Sequence, residues 1–252
     1  MKKINEIIGD AKTVGLAGHI RPDGDCVGSC MALYNYLKKN RQDLDVRVYL
    51  EFVDDKFRLI ENTDMIDTNG YDGTVYDLFI SLDTASPDRL GFNRDFFENA
   101  KRTACIDHHK SNPGYGDYNY ILPDASSASE VLYDLLDESL IDKSVAAPMY
   151  MGIAHDSGVF RFQSTTPKTM RIAAKMMEFG IDINTILEDT FYRKTYSQMM
   201  ITARIQSNSK ICMDGKCIYG YCTTELMDEY NVTTNDLDAV IASIRNVEGV
   251  EV

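Results

Sequence analysis

Apolar positions in the first two-thirds of the chain alternate between short continuous runs and helical spacing. Thr13–Ala17 (TVGLA) is a compact apolar run that predicts a buried strand. Val27, Cys30, Met31, Tyr34 and Leu37 then recur at three- and four-residue intervals and predict a helix. Val46–Phe52, Asp77–Leu82, Thr103–Ile106 and Tyr118–Leu122 predict further strands. Ser127 with Glu130 three residues on has the form of a capping box, and Val131, Leu132, Leu135 and Leu136 supply the apolar stripe behind it. Thr166-Pro167 opens another helix, with Ile172, Ala173, Met176, Met177 and Phe179 along it and Gly180 at its end. Met170, Met176 and Met177 are read as core filler, and Phe160-Arg161-Phe162 alternates like a strand. Strands alternating with helices predict an α/β fold: a mostly parallel sheet with helices on both faces.

The pattern changes after about Lys194. Ser209–Met213 and Lys216–Cys222 flank Asp214-Gly215, a two-residue hairpin signal that sets Cys212 opposite Cys217. Asn231–Arg245 reads as a helix with Leu237, Val240, Ile241 and Ile244 on its apolar face. Val250-Glu251-Val252 reads as the start of a strand.

Composition narrows the function. The 252 residues carry 26 Lys and Arg against 39 Asp and Glu, a formal net charge of −13, which disfavours long polyanionic partners such as DNA. The run Val145–Ala154 is about half a bilayer span and contains Pro148, so no membrane segment is expected. Cysteines 26, 30, 105, 212, 217 and 222 form no C-x-x-C pair and read as reduced thiols of a cytoplasmic protein.

The chemistry-bearing residues gather at predicted strand ends. The first strand runs into Gly18-His19-Ile20-Arg21-Pro22-Asp23-Gly24-Asp25, the third ends in Leu82-Asp83, and the fourth in Asp107-His108-His109. A later apolar stretch ends in His155-Asp156. In a parallel sheet these segments converge on one edge, where ligands bind. Asp23, Asp25, Asp83, Asp107 and Asp156 would crowd five carboxylates together, raising one another's pKa values. Divalent cations resolve that repulsion, and mixed carboxylate and imidazole donors suit Mn²⁺, Fe²⁺, Co²⁺ or Zn²⁺ better than Ca²⁺. A pair of cations sharing one carboxylate also activates water and stabilises charge on phosphorus.

His19, Asp23 and Asp25, the lone Asp83, the Asp107-His108-His109 triplet and Asp156 resemble the four motifs of the DHH phosphoesterases in order and spacing. The stretches GHIRPDGDCVGS, ILPDASSASEVLYDLL and GIAHDSGVFRFQSTTPKTMRIAAKMMEFGID look most like the bacterial nanoRNase/pAp phosphatase branch. The resemblance implies two divalent cations, Mn²⁺ first, with Mg²⁺, Co²⁺, Fe²⁺ and Zn²⁺ as alternatives. His19 and Asp23 would hold one, Asp25 and His108 the other, Asp83 would bridge, and Asp156 would complete the second site. Asp107 would orient a histidine, and His109 would contact the substrate phosphate or protonate the leaving oxygen. His155 is read as structural.

The implied reaction is hydrolysis of short oligoribonucleotides (nanoRNA) or 3′-phosphoadenosine 5′-phosphate to mononucleotides, by in-line attack of a metal-bridging hydroxide. Inorganic pyrophosphate, linear or cyclic dinucleotides, and a low-turnover nucleotide-binding regulatory role are the alternatives. Tyr115 and Tyr118 are read mostly as core, with base stacking the lesser reading. Partners would be short RNA or nucleotides, with a homodimer an open option. The expected domains are a catalytic domain over 1–190, a linker helix over 191–205, and a partial DHH-associated domain over 206–252. The family's G-G-G-H segment is missing from that last region. A truncated chain is expected, because a strand-like end would leave an open sheet edge.

Overall fold

The structure is a computed structural model and describes residues 3–237, 240, 243, 244 and 246–251. It divides into two compact units, Met1–Tyr192 and Arg193–Val252.

The first unit is built on a six-stranded sheet. Its strands are β1 (Thr13–Ala17), β2 (Asp45–Tyr49), β3 (Ile66–Asp67), β4 (Leu78–Leu82), β5 (Thr103–Asp107) and β6 (Tyr118–Ile121). All pairings are parallel, in the order β3-β2-β1-β4-β5-β6. Its helices are α1 (Ile4–Ile8), α2 (Gly24–Asn40), α3 (Arg94–Asn99), α4 (Ala128–Leu135), α5 (Lys143–Asp156), α6 (Pro167–Glu178) and α7 (Ile183–Leu187). Successive strand side chains point to opposite faces. Val14, Leu16, Val46, Val48, Leu78, Ile80 and Leu82 therefore meet α2, α4 and α5 in the main core. Ala17, Tyr49 and Phe79 face the other way, onto Phe96 and Phe97 of α3, in a smaller aromatic layer. Tyr49 and Phe96 stack there at 4.4 Å between ring centroids.

The apolar run at 145–154 is the buried helix α5, which carries Pro148 inside it. Proline has no N–H to give the carbonyl of residue i−4, here Ser144. That carbonyl is taken instead by the side chain of Asn35 on α2, which is 3% exposed and donates through Nδ2 at 2.8 Å. Asn62 Nδ2 in turn donates to Asn35 Oδ1 at 2.8 Å. Asn35 Nδ2 also reaches Glu61 O at 3.3 Å, so Asn35→Leu strands three partners and is expected to lower the unfolding free energy by about 1–3 kcal/mol, measured by denaturant titration.

Several expectations need correction. β2 ends at Tyr49, three residues before the predicted limit, and the short β3 carried no pattern long enough to predict. Phe160-Arg161-Phe162 lies in a run of turns, with Val159 and Phe160 both at positive φ, so alternation there marks no strand. Met176 is buried, but Met170 and Met177 are exposed on the outer side of α6. Ser127 does cap α4 by accepting from Glu130 N–H, yet the Glu130 carboxylate reaches past it to Ser126 Oγ (2.7 Å) and Thr169 Oγ1 (2.7 Å). That side chain ties α4 to α6 rather than closing a capping box.

The second unit contains α8 (Tyr196–Asn208), strands β7 (Lys210–Cys212) and β8 (Cys217–Tyr219), and α9 (Thr224–Tyr230). Ile201, Ile205 and Val240 form its buried centre. Cys212 pairs with Cys217 across the hairpin as expected, and both are free thiols. The connection is a four-residue turn, 213–216, rather than a two-residue one. The predicted helix at 231–245 is described only in part: Thr234–Leu237 is a 3-10 turn, Val240, Ser243 and Ile244 are helical, and Ile241 lies outside the described residues. Val250 and Glu251 are not in a strand, and Val252 lies outside the described residues. Among the described residues no helix is long and apolar enough to cross a membrane.

Candidate active site

The chain builds β1, β2 and β3 outward, then returns to lay β4 on the other side of β1. That reversal opens a crevice at the carboxyl ends of β1 and β4, the usual ligand position in an open parallel sheet. His19 and Asp23 lie in the loop leaving β1, Asp83 follows β4, and Asp107 ends β5. Asp156 arrives from the last residue of α5.

Asp83 is the centre of the cluster. It is 2% exposed and sits at φ 51°, a left-handed conformation uncommon outside glycine but tolerated by Asp and Asn. Its two carboxylate oxygens face different imidazoles: Oδ2 is 3.5 Å from His19 Nε2, and Oδ1 is 3.4 Å from His108 Nε2. Both histidines aim Nε2 inward because Nδ1 faces a backbone carbonyl, Ile20 O for His19 (2.7 Å) and Ala125 O for His108 (3.4 Å). Asp83 Oδ1 and His108 Nε2 are buried without a hydrogen-bond partner, although Nε2 lies 3.0 Å from Asp156 Oδ2. Buried polar atoms are seldom left unpaired, and donor atoms crowded this way fit a cation between them.

Two sets of donors therefore share one carboxylate. His19, Asp23 and Asp83 form the first; Asp25, Asp83, His108 and Asp156 form the second. Asp23 divides its oxygens, Oδ1 capping α2 through the N–H groups of Asp25 and Cys26 while Oδ2 lies 3.7 Å from His19 Nε2. Asp25 is fully buried and held by the start of α4, accepting from Ala128 N–H (2.5 Å), Ser129 N–H (3.0 Å) and Ser129 Oγ (2.6 Å). Sequence reading saw helix initiation in that serine-rich stretch and missed its grip on Asp25.

Gly152 of α5 closes the same pocket. A Cβ there would lie 2.1 Å from Ser129 Oγ and 2.5 Å from Asp25 Oδ1. Helix propensity alone would make Gly152→Ala stabilising by about 1 kcal/mol. Packing reverses the sign: the variant is expected to lose about 1–3 kcal/mol of stability and, by displacing Asp25, to lose turnover as well. Denaturant titration and initial rates on the same preparation check both.

Asp107, also fully buried, is part of a different arrangement. Its Oδ1 accepts from His108 N–H (2.8 Å) and from His109 Nδ1 (2.7 Å), and its Oδ2 accepts from Asn112 Nδ2 (2.6 Å). Asp83, Asp107, His108 and His109 form a third group of potential ligands. There, however, His109 Nδ1 is already committed to Asp107, which leaves Nε2 of this part-exposed ring as its free nitrogen.

The electrostatics follow from crowding. Burial works against a charged His19, but Cys26, Asp23 and Asp83 push its pKa up to about 12. Burial likewise opposes a charge on His108, but Asp156, Asp83 and Asp25 push it up to about 11. Burial, reinforced by Asp83 and Asp23, moves Asp156 up to about 6, and burial with Asp83 and Asp156 holds Asp25 well above the usual carboxylate range. All four shifts have the direction expected of carboxylates crowded around imidazoles, where added positive charge is favoured. The hydrogen bond to Asp107 raises His109. Although burial opposes ionisation, His109 and Asn112 hold Asp107 below its ordinary value.

Other candidates lie apart from this chemistry. His155 is half-buried, with Nε2 2.8 Å from Thr190 Oγ1 and its ring against Phe57 and Phe191. Burial lowers it to about 4, and it packs directly over Gly24. Tyr115 gives its hydroxyl to Ser81 Oγ and Thr84 O and its ring to Phe97, so it belongs to the core. Arg161 is exposed in a turn.

A family model described as the DHH family, N-terminal domain, matches residues 13–153, more than half of the chain. The chain belongs to the DHH family. Among curated relatives, it is 24% identical over 243 residues to the bifunctional oligoribonuclease and PAP phosphatase NrnA of Bacillus subtilis, covering 94% of this chain and 75% of that one. It is 27% identical over 241 residues to the protein of the same name from Thermus thermophilus, covering 93% of this chain and 69% of that one. Among solved structures, an exopolyphosphatase-related protein from Bacteroides fragilis has a TM-score of 0.87 at 22% identity, covering 97% of this chain and 75% of that one, a likeness of fold. This DHH-family chain is a phosphoesterase, a hydrolase of phosphate-ester bonds.

Proposed function

We propose that this chain hydrolyses short oligoribonucleotides and 3′-phosphoadenosine 5′-phosphate to mononucleotides, using two divalent cations, Mn²⁺ foremost. The observation that carries the reading is Asp83, whose two oxygens face two separate donor sets and whose Oδ1 is buried unpaired. His19, Asp23 and Asp83 would hold one cation; Asp25, Asp83, His108 and Asp156 would hold the other. Bound there, the cations supply an acidified water as nucleophile and neutralise charge on the phosphoryl oxygens.

The chain's own residues do the rest. Asp107 fixes the His109 ring by accepting its Nδ1–H and favours the imidazolium, whose second proton, on Nε2, passes to the departing ester oxygen and leaves the neutral ring. The Asp83 carboxylate holds both donor sets in one register. The net charge of −13 favours short substrates, whose few phosphates can be balanced within the site, over long polyanions. The names of the relatives point to the same substrates, oligoribonucleotides and PAP.

The test is metal analysis of Mn²⁺-loaded protein beside turnover of a diribonucleotide, 3′-phosphoadenosine 5′-phosphate and pyrophosphate. Two ions per chain, turnover of the first two substrates and its loss with chelator are expected. Turnover of pyrophosphate alone, or activity indifferent to chelator, would overturn the proposal.

A further inference from the structure

We propose that Asn112 is a positioning residue for the hydrolysis, acting through Asp107 to hold the His109 ring; the role rests on the reading of His109 given above. Asn112 is half-buried in the loop that follows β5. Its amide joins two strand-end loops. Nδ2 donates to Asp107 Oδ2 (2.6 Å) and to Thr84 O (3.0 Å), the residue after Asp83, and lies 3.3 Å from Cys105 Sγ. Its Oδ1 accepts from Gly114 N–H at 2.9 Å, and its own N–H donates to His109 O at 3.1 Å. The direction of the amide is fixed by these partners, since a carboxylate and a carbonyl can only accept there while Gly114 N–H can only donate.

The consequence is mechanical. Asp107 presents Oδ1 to two donors from the following residues, and Asn112 takes Oδ2 from the other side, so the carboxylate cannot turn about its Cβ–Cγ bond. Without the amide, a fully buried carboxylate oxygen would lose this charge-assisted hydrogen bond, and the ring that Oδ1 orients would be freer to swing. Removing a hydrogen-bond partner that orients a residue of a metal site typically costs about 10- to 100-fold. Asn112→Asp is the sharper variant: it keeps the shape but sets an acceptor against Asp107 Oδ2 and Thr84 O.

The experiment measures kcat and KM of the Mn²⁺-loaded chain for a diribonucleotide, with Asn112→Ala and Asn112→Asp made both in the native background and in His109→Ala. The expected result is a loss of about 10- to 100-fold in kcat for Asn112→Ala with KM nearly unchanged, an equal or larger loss for Asn112→Asp, and little further loss from either beside His109→Ala. An equal loss in both backgrounds, or a rise in KM alone, would overturn the assignment. A second readout needs no turnover: in the Mg²⁺-loaded chain, the His109 Nδ1–H proton should be protected from solvent exchange, and the protection should vanish in both variants. Retained protection would also overturn it. If the native chain turns over none of the three substrates, the proposed function fails, and the exchange measurement still decides the role of Asn112.

Discussion

Replacing Asp83 with asparagine is expected to lower turnover by at least roughly 10³-fold and to reduce bound divalent metal below two ions per chain, because both donor sets lose their shared carboxylate. Asparagine is the informative choice. The residue sits at φ 51°, where Asn is tolerated and alanine is strained, so Asp83→Asn should keep the turn after β4. Asp83→Ala should be equally inactive but carries a backbone penalty as well. In metal-free protein the asparagine variant should be less stable than the native chain, because it removes the carboxylate that lies between the charged imidazoles of His19 and His108. Metal analysis, initial rates and thermal unfolding on one preparation check all three. Near-normal rates with two ions retained would show that the cluster is not the active site.

The second large effect is expected from His109→Ala. Loss of a general acid lowers kcat by about 10²- to 10⁴-fold, while metal content should stay near native because Nδ1 of this ring is engaged by Asp107. The two variants therefore separate: one loses metal, the other keeps it. A leaving group that departs as a stable anion needs no proton, so His109→Ala should be nearly silent on a p-nitrophenyl phosphodiester and severe on a diribonucleotide. An equal loss on both would place the ring in substrate binding instead.

Much of the fold was legible because its signals are local. Thr13–Ala17 and Thr103–Asp107 are apolar runs short enough to be strands only, and Thr166-Pro167 writes its helix start in two residues. The helix α5 was harder: buried on all sides, it shows no amphipathic period, and Pro148 argues against a helix until Asn35 is seen to take the orphaned carbonyl. Met170 and Met177 misled for the opposite reason. Their spacing resembles a core stripe, but nothing in the sequence says which side of α6 has a neighbour.

The site divides the same way. His19, Asp23, Asp25, Asp83, Asp107, His108, His109 and Asp156 stand out because imidazoles and carboxylates at strand ends are unusual and local. Their number and order along the chain, and the alternation that sends the strand ends to one edge, are properties of the sequence alone. What the tertiary structure decided is who faces whom. Asp83 serves two donor sets because β4 returns beside β1. Asp25 is held by Ser129 across 104 positions of sequence, and His155 turns Nε2 to Thr190 across 35 and belongs to none of the donor groups. A contact between residues that far apart depends on packing over the whole sheet, and no local pattern encodes it.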